Sequence, residues 1–201
     1  MTLLRPPVDR PQRADARRNR ERVVTAARRC MARKGLDAGM EEIARGAGVG
    51  VGTVYRHFPT KDDLVEALAL ERFERLRDLA LAAMEADDPL AAFERFIRDA
   101  ARIQTDDRAL SEVLVSRPET MMRAAESVGM LDLTDAVLKR AQKAGMVRKD
   151  ADARDIPMLM CALAGTYRTP HADVERYLGI MLDGLRAPGA KHQKLPPSTR
   201  A

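Results

Sequence analysis

Few residues in this sequence could do chemistry, and most of those lack the partners that chemistry needs. A histidine acting as base or metal ligand needs a second group, and the histidine nearest to His57 is His171. Cys30 and Cys161 have no CxxC spacing and no clustered histidine, which argues against a zinc site or a disulfide framework and fits a reducing compartment. The chain contains no HExxH, no ExxH pair, no GxSxG and no Gly-rich phosphate loop, so nothing marks a nucleophile or a metal-assisted hydrolase. The exception is a short run, Val51, Gly52, Thr53, Tyr55, Arg56 and His57, where small, polar and cationic groups surround an apolar Val54. Its chemistry is hydrogen bonding and charge, which suits a polyanion surface.

Elements with helical periodicity surround that run. Val23, Ala27, Cys30 and Met31 recur at i, i+4, i+7 and i+8, predicting a helix over 15–34 that Gly35 stops. Met40, Ile43, Ala44 and Ala47 predict a second helix over 40–47, and Gly48-Val49-Gly50 breaks it. A third helix over 51–57 turns Val54 and Phe58 inward. Pro59 ends it, and Thr60 caps a long fourth helix from Lys61 to about Glu85 with Asp62 and Asp63 in its first turn. Two short helices joined by a three-residue glycine-containing turn, preceded by a third, are the parts of a helix-turn-helix. The second helix braces the third, which projects as a ridge toward the major groove.

Further helices are expected from Pro89, over 108–115, over 119–144 with an interruption near Gly129, over 154–168 and over 172–186. The predicted fold class is all-α, with about nine helices: an N-terminal helix-turn-helix domain over 15–62 and a helical domain over 63–187. Residues 1–14, with Pro6, Pro7 and Pro11 among scattered arginines, read as a flexible basic arm, and 188–201 as a disordered tail.

Composition agrees. Apolar residues make up 45% of the 201, enough to bury a core, and aromatics only 3%, which disfavours strands. Residues 1–61 hold 14 Lys/Arg against 6 Asp/Glu, a balance of +8, whereas 62–201 hold 21 against 24, a balance of −3. A basic third on an acidic remainder suits a polyanion-binding module joined to something else, and not an architectural DNA protein basic along its whole length. No apolar run approaches the ~20 residues of a membrane helix, and residues 1–20 contain no signal-peptide core, so a cytoplasmic location is expected.

Met40–Leu64, MEEIARGAGVGVGTVYRHFPTKDDL, closely resembles the signature of the tetracycline-repressor (TetR) family of regulators, and the resemblance extends over about 17–70. It implies that Thr53, Tyr55, His57 and Lys61 contact phosphates of double-stranded DNA. It leaves Val51, Gly52, Tyr55 and Arg56 to face base edges, where an arginine can read guanine and an apolar group the thymine methyl. Arg17, Arg18 and Arg20 are expected at phosphates or the minor groove. Two positions depart from the family pattern. Gly39 and Gly50 stand where a hydroxyl residue often caps the second and third helices, so Gly50 offers backbone alone to the DNA.

The resemblance also implies a C-terminal ligand-binding and dimerisation domain, hence a ligand-responsive repressor that binds a palindromic operator as a homodimer. The apolar stripes of the last two helices, Leu159, Leu163, Tyr167, Val174, Leu178, Met181, Leu182 and Leu185, are the candidate dimer interface. Candidates for contact with a small-molecule effector are the polar Arg72 and Gln104 on otherwise apolar stripes, with Phe93, Phe96, Met121, Met122 and Met160. Each Met taken singly also reads as ordinary helix packing. No cofactor, metal or membrane partner is expected, and no enzymatic activity.

Overall fold

The computed structural model describes residues 10–106, 108–166 and 173–189. Ten α-helices are present among these residues: α1 (Arg10–Lys34), α2 (Met40–Ala47), α3 (Val51–His57), α4 (Lys61–Glu85), α5 (Pro89–Asp106), α6 (Arg108–Val115), α7 (Pro118–Ser127), α8 (Met130–Lys143), α9 (Asp155–Thr166) and α10 (Val174–Leu185). The only extended pairing among them is an isolated bridge between Val147 and Arg186. No described helix is long and apolar enough to cross a membrane.

The interruption expected near Gly129 is present: the stretch over 119–144 is two helices, because Gly129 adopts φ +63°, a left-handed conformation that glycine enters without a Cβ penalty. With both halves counted, the expected nine or so helices are ten among the described residues. One expectation needs correction. Helix α1 begins at Arg10, five residues before the start expected at 15. Pro11 falls in its first turn, where a missing N–H costs nothing. The basic arm expected over 1–14 is thus helical at its end, and residues 1–9 and the tail beyond 189 lie outside the described residues.

Local chemistry accounts for the helix ends that matter to the site. Thr60 and Asp63 form a capping box: Thr60 Oγ1 accepts from the Asp63 N–H at 3.1 Å and Asp63 Oδ2 from the Thr60 N–H at 2.8 Å. Gly39 and Gly50 cap α2 and α3 with no side-chain bond. Gly48 closes α2 at φ +63°, and Val49 N–H then reaches the Ala44 carbonyl at 3.1 Å.

The helices enclose two apolar cores. The first joins Val23, Ala27 and Met31 of α1, Ile43 of α2, Val54 of α3, Phe58, and Leu64 and Leu68 of α4. Leu110, Val113 and Leu114 of α6 and Ala124 of α7 also belong to it, so the core does not divide at residue 62. The second core gathers Ala80 and Ala83 of α4, Phe93 and Ile97 of α5, Leu138 of α8, Met160 of α9 and Leu178 of α10. Full burial of each large side chain contributes on the order of 1.5–3 kcal/mol. Phe73 of α4 packs against both cores.

Candidate nucleic-acid interface

The exposed face of α3 follows from what its inner face must do. Val54 and Phe58 are 0% and 2% exposed and anchor α3 to the first core. At one step per 100°, that burial turns Val51, Gly52, Tyr55 and Arg56 to solvent, with Thr53 and His57 half-buried at the edges. Val51 and Tyr55, one turn apart, are 40% and 49% exposed and form an apolar ridge. Beside it, Arg56 folds back along the helix: Nε donates to the Gly52 carbonyl at 3.1 Å and Nη2 to Thr53 Oγ1 at 3.2 Å. The guanidinium is thereby held against the N-terminal half of α3, the part of a recognition helix that reaches base edges.

The first three helices set the angle of α3. Lys34 Nζ donates to Glu42 at 2.7 Å and Arg33 lies 3.5 Å from the same carboxylate, joining the end of α1 to the start of α2. The Lys34 hydrogen bond, reinforced by the charges of Lys34, Arg33 and Arg45, holds the Glu42 carboxyl below its ordinary value. Arg22 Nη2 donates to the Gly48 carbonyl at 3.2 Å, bracing the turn between α2 and α3. A Cβ on Gly48 would stand 2.6 Å from that nitrogen and push the guanidinium aside, while the left-handed φ of +63° is what calls for glycine here. Sequence reasoning missed Arg22; its signal was a cation one turn beyond Arg18 on a helix that precedes a glycine turn.

The other cations are placed unevenly. Arg20 stacks on the Phe58 ring at 5.1 Å, which steadies it beside the end of α3. Arg17 pairs with Glu21 at 3.6 Å and Arg18 with Asp15, both exposed, and such pairs are worth under about 1 kcal/mol and exchange readily. Lys61, expected at a phosphate, is half-buried and donates to the Leu36 carbonyl at 2.7 Å. It ties α4 to the turn after α1, a role that local sequence does not reveal because the two residues are 25 apart.

The seven candidate effector residues do not line one opening. Phe93, Phe96 and Met160 are packed in the second core, Met121 lies against the first, and Met122 is 59% exposed. Arg72 and Gln104 do meet, through Ser111 between them. Gln104 Oε1 is shielded from solvent with no partner among the described residues.

The candidate dimer residues divide in two. Leu178 and Leu182, at 1% and 2% exposed, face the protomer's own core, with no surface left to pair with a second copy. Leu159, Leu163, Met181 and Leu185 floor an open groove of about 730 Å³ along α9 and α10. Val174 packs half-buried against the second core, and Tyr167 lies outside the described residues. The exposed large apolar side chains of α9 and α10 among the described residues are Met158, Tyr177 and Ile180, at 64%, 43% and 48%. Of these, sequence reasoning gave none to the interface, since α10 carries apolar residues on two faces and periodicity does not say which turns inward. No group of three or more His, Cys, Asp or Glu among the described residues could hold a metal ion.

Comparison with known proteins agrees with this geometry. Residues 23–68 match the family of bacterial regulatory proteins, tetR family, and residues 88–187 match the SbtR-like transcriptional regulator C-terminal domain. The HTH-type transcriptional repressor Rv1474c of Mycobacterium tuberculosis is 30% identical over 175 residues, covering 84% of this chain and 80% of that protein. The crystal structure of a TetR transcription regulatory protein from Mycobacterium vanbaalenii is 40% identical, covers 88% of this chain and 100% of its own, and superposes with a TM-score of 0.65. The TetR transcriptional regulator SCO0520 from Streptomyces coelicolor is 32% identical, with 84% and 99% covered and a TM-score of 0.61. Matched in both halves and by relatives over most of its length, the chain belongs to the TetR family of bacterial transcriptional regulators, DNA-binding transcription factors and not enzymes.

Proposed function

We propose that this regulator acts as a ligand-responsive repressor that binds a palindromic operator as a homodimer. The observation that carries the reading is the division of α3: Val54 and Phe58 are sealed in the core while Val51, Gly52, Tyr55 and Arg56 stand free. In the complex, Arg56 reads a guanine and the Val51–Tyr55 ridge meets a thymine methyl. Thr53, His57, Lys61 and the α1 cations Arg17, Arg18 and Arg20 hold phosphates, and the glycine at 50 lets the backbone approach. Lys61 uses one of its three donors on Leu36 and keeps two for a phosphate.

The homodimer pairs α9 and α10 with their copies, through Met158, Tyr177 and Ile180 above the groove floor. A C2 pair of this kind must place the two α3 helices about 34–36 Å apart to enter successive major grooves. The effector acts on the regulatory half by preferring the arrangement that does not bind DNA. The shielded Gln104 Oε1 supports a contact there, because an unmet buried acceptor costs about 1–3 kcal/mol and a ligand donor would relieve it.

The test selects duplexes from a random pool with the purified protein, then measures affinity by fluorescence anisotropy and mass by sedimentation. An inverted repeat bound by an even number of protomers, with affinity falling steeply as salt rises, is the expected result. Selection that yields no repeat, or binding by single protomers, would overturn it.

A further inference from the structure

Arg72 is 6% exposed, and no other charged residue among the described ones is so fully buried. It sits on α4 beside Phe73, the residue that touches both cores. Its Nη1 donates to Ser111 Oγ at 2.9 Å, and that hydroxyl donates onward to the Gln104 carbonyl at 3.0 Å. Ser111 belongs to α6, whose Leu110, Val113 and Leu114 are built into the DNA-binding core with α1. Gln104 lies in the last turn of α5, whose Phe93, Phe96 and Ile97 are built into the other core. The relay of two hydrogen bonds therefore joins three helices where the two cores meet. Glu71, the preceding residue of α4, pairs with Arg28 of α1 at 2.5 Å, so α1 is drawn to the same point.

Burying a guanidinium carries a desolvation cost that an apolar side chain of similar volume would not incur. What the cation supplies is direction. The apolar contacts of α6 on α1 and α4 tolerate small slides, whereas a donor fixed on Ser111 accepts one register. We propose that Arg72 is a positioning residue for operator binding: through Ser111 it makes α6 part of the DNA-binding body and holds that body at one angle to the regulatory half. The proposal rests on the operator reading above. It takes Arg72 out of the effector site and gives it work in the unliganded repressor.

The test uses full-length Arg72→Met and Ser111→Ala, with Arg72→Lys as the conservative variant. Ser111→Ala removes one hydroxyl, and so keeps the question open to measurement if Arg72→Met folds poorly. Three quantities are read: affinity for the selected operator, affinity for a scrambled duplex, and the distance distribution between spin labels at Arg45→Cys on α2 and Lys143→Cys on α8. The labelled protein carries Cys161→Ala and is diluted into unlabelled protein, so that each distance lies within one protomer. Operator affinity is expected to fall roughly 2- to 30-fold in the first two variants. Scrambled-duplex affinity and the salt dependence stay as in the parent, since every phosphate-binding cation remains. The label distribution broadens, and Arg72→Lys recovers part of both losses. Unchanged operator affinity with an unchanged label distribution would overturn the proposal, as would an equal loss on operator and scrambled DNA. A parent protein without any sequence preference would instead strike the operator reading itself, a result visible before any variant is made.

Discussion

Arg56 lies along α3, its guanidinium bonded to the Gly52 carbonyl and the Thr53 hydroxyl, which leaves further N–H groups for the guanine contact proposed above. Arg56→Ala is expected to weaken operator binding by about 1–3 kcal/mol and to abolish preference for guanine at one position per half-site. Binding to operators substituted base by base checks this. At Gly48 the constraint is intramolecular. Alanine there must hold φ +63° and displace Arg22, so Gly48→Ala is expected to destabilise the protein by about 1–2 kcal/mol, read as a lower Tm in thermal unfolding. The local residue types announced this turn, but not that Arg22 would fill the space beside it, since Arg22 and Gly48 are 26 residues apart.

Helices α1 and α2 are joined at one end by Glu42 with Lys34 and Arg33. The folded state holds this carboxyl below its unfolded value, so its contribution is complete above the ordinary carboxylate range and disappears as pH falls through the folded value. Glu42→Gln should therefore lower stability at neutral pH and flatten its decline on the acid side, with little difference once the carboxyl is protonated. Acid titration followed by far-ultraviolet circular dichroism measures both slopes. Asp150, lowered to about 2 chiefly by its hydrogen bond from Arg148, titrates in the same direction at a lower pH. The ends of α4 and α8 were legible because caps and left-handed glycines are local signals. The start of α1 was not, because residues 10–14 carry no apolar stripe and helix there continues a turn already nucleated.

Across the whole molecule, the proposed pairing of copies turns on which face of α10 is left outside the protomer's own core. Leu178→Ala removes a side chain that is 1% exposed, and the cavity left should cost the protomer about 2–5 kcal/mol. Ile180→Asp, one face round and 48% exposed, should leave the protomer's Tm nearly unchanged yet shift sedimentation to the monomer and weaken operator binding, because two half-sites would no longer be held together. The contrast separates the inner apolar face from the outer one, and a Leu178 variant that dissociates without losing stability would reverse the assignment.

Apart from the start of α1, the helix spans, the turn between α2 and α3, and the surface of α3 were readable from the chain alone, because each depends on residues within a turn or two of one another. Periodicity, a capping hydroxyl and a glycine act over that range whatever surrounds them. Partners and faces were decided only by tertiary structure. Lys61 meets Leu36, Arg72 meets Ser111 across 39 positions, and α6 joins the core of α1. A helix apolar on two sides, as α10 is, buries whichever side its neighbours reach first in space, and that choice is made by the packing of the whole chain.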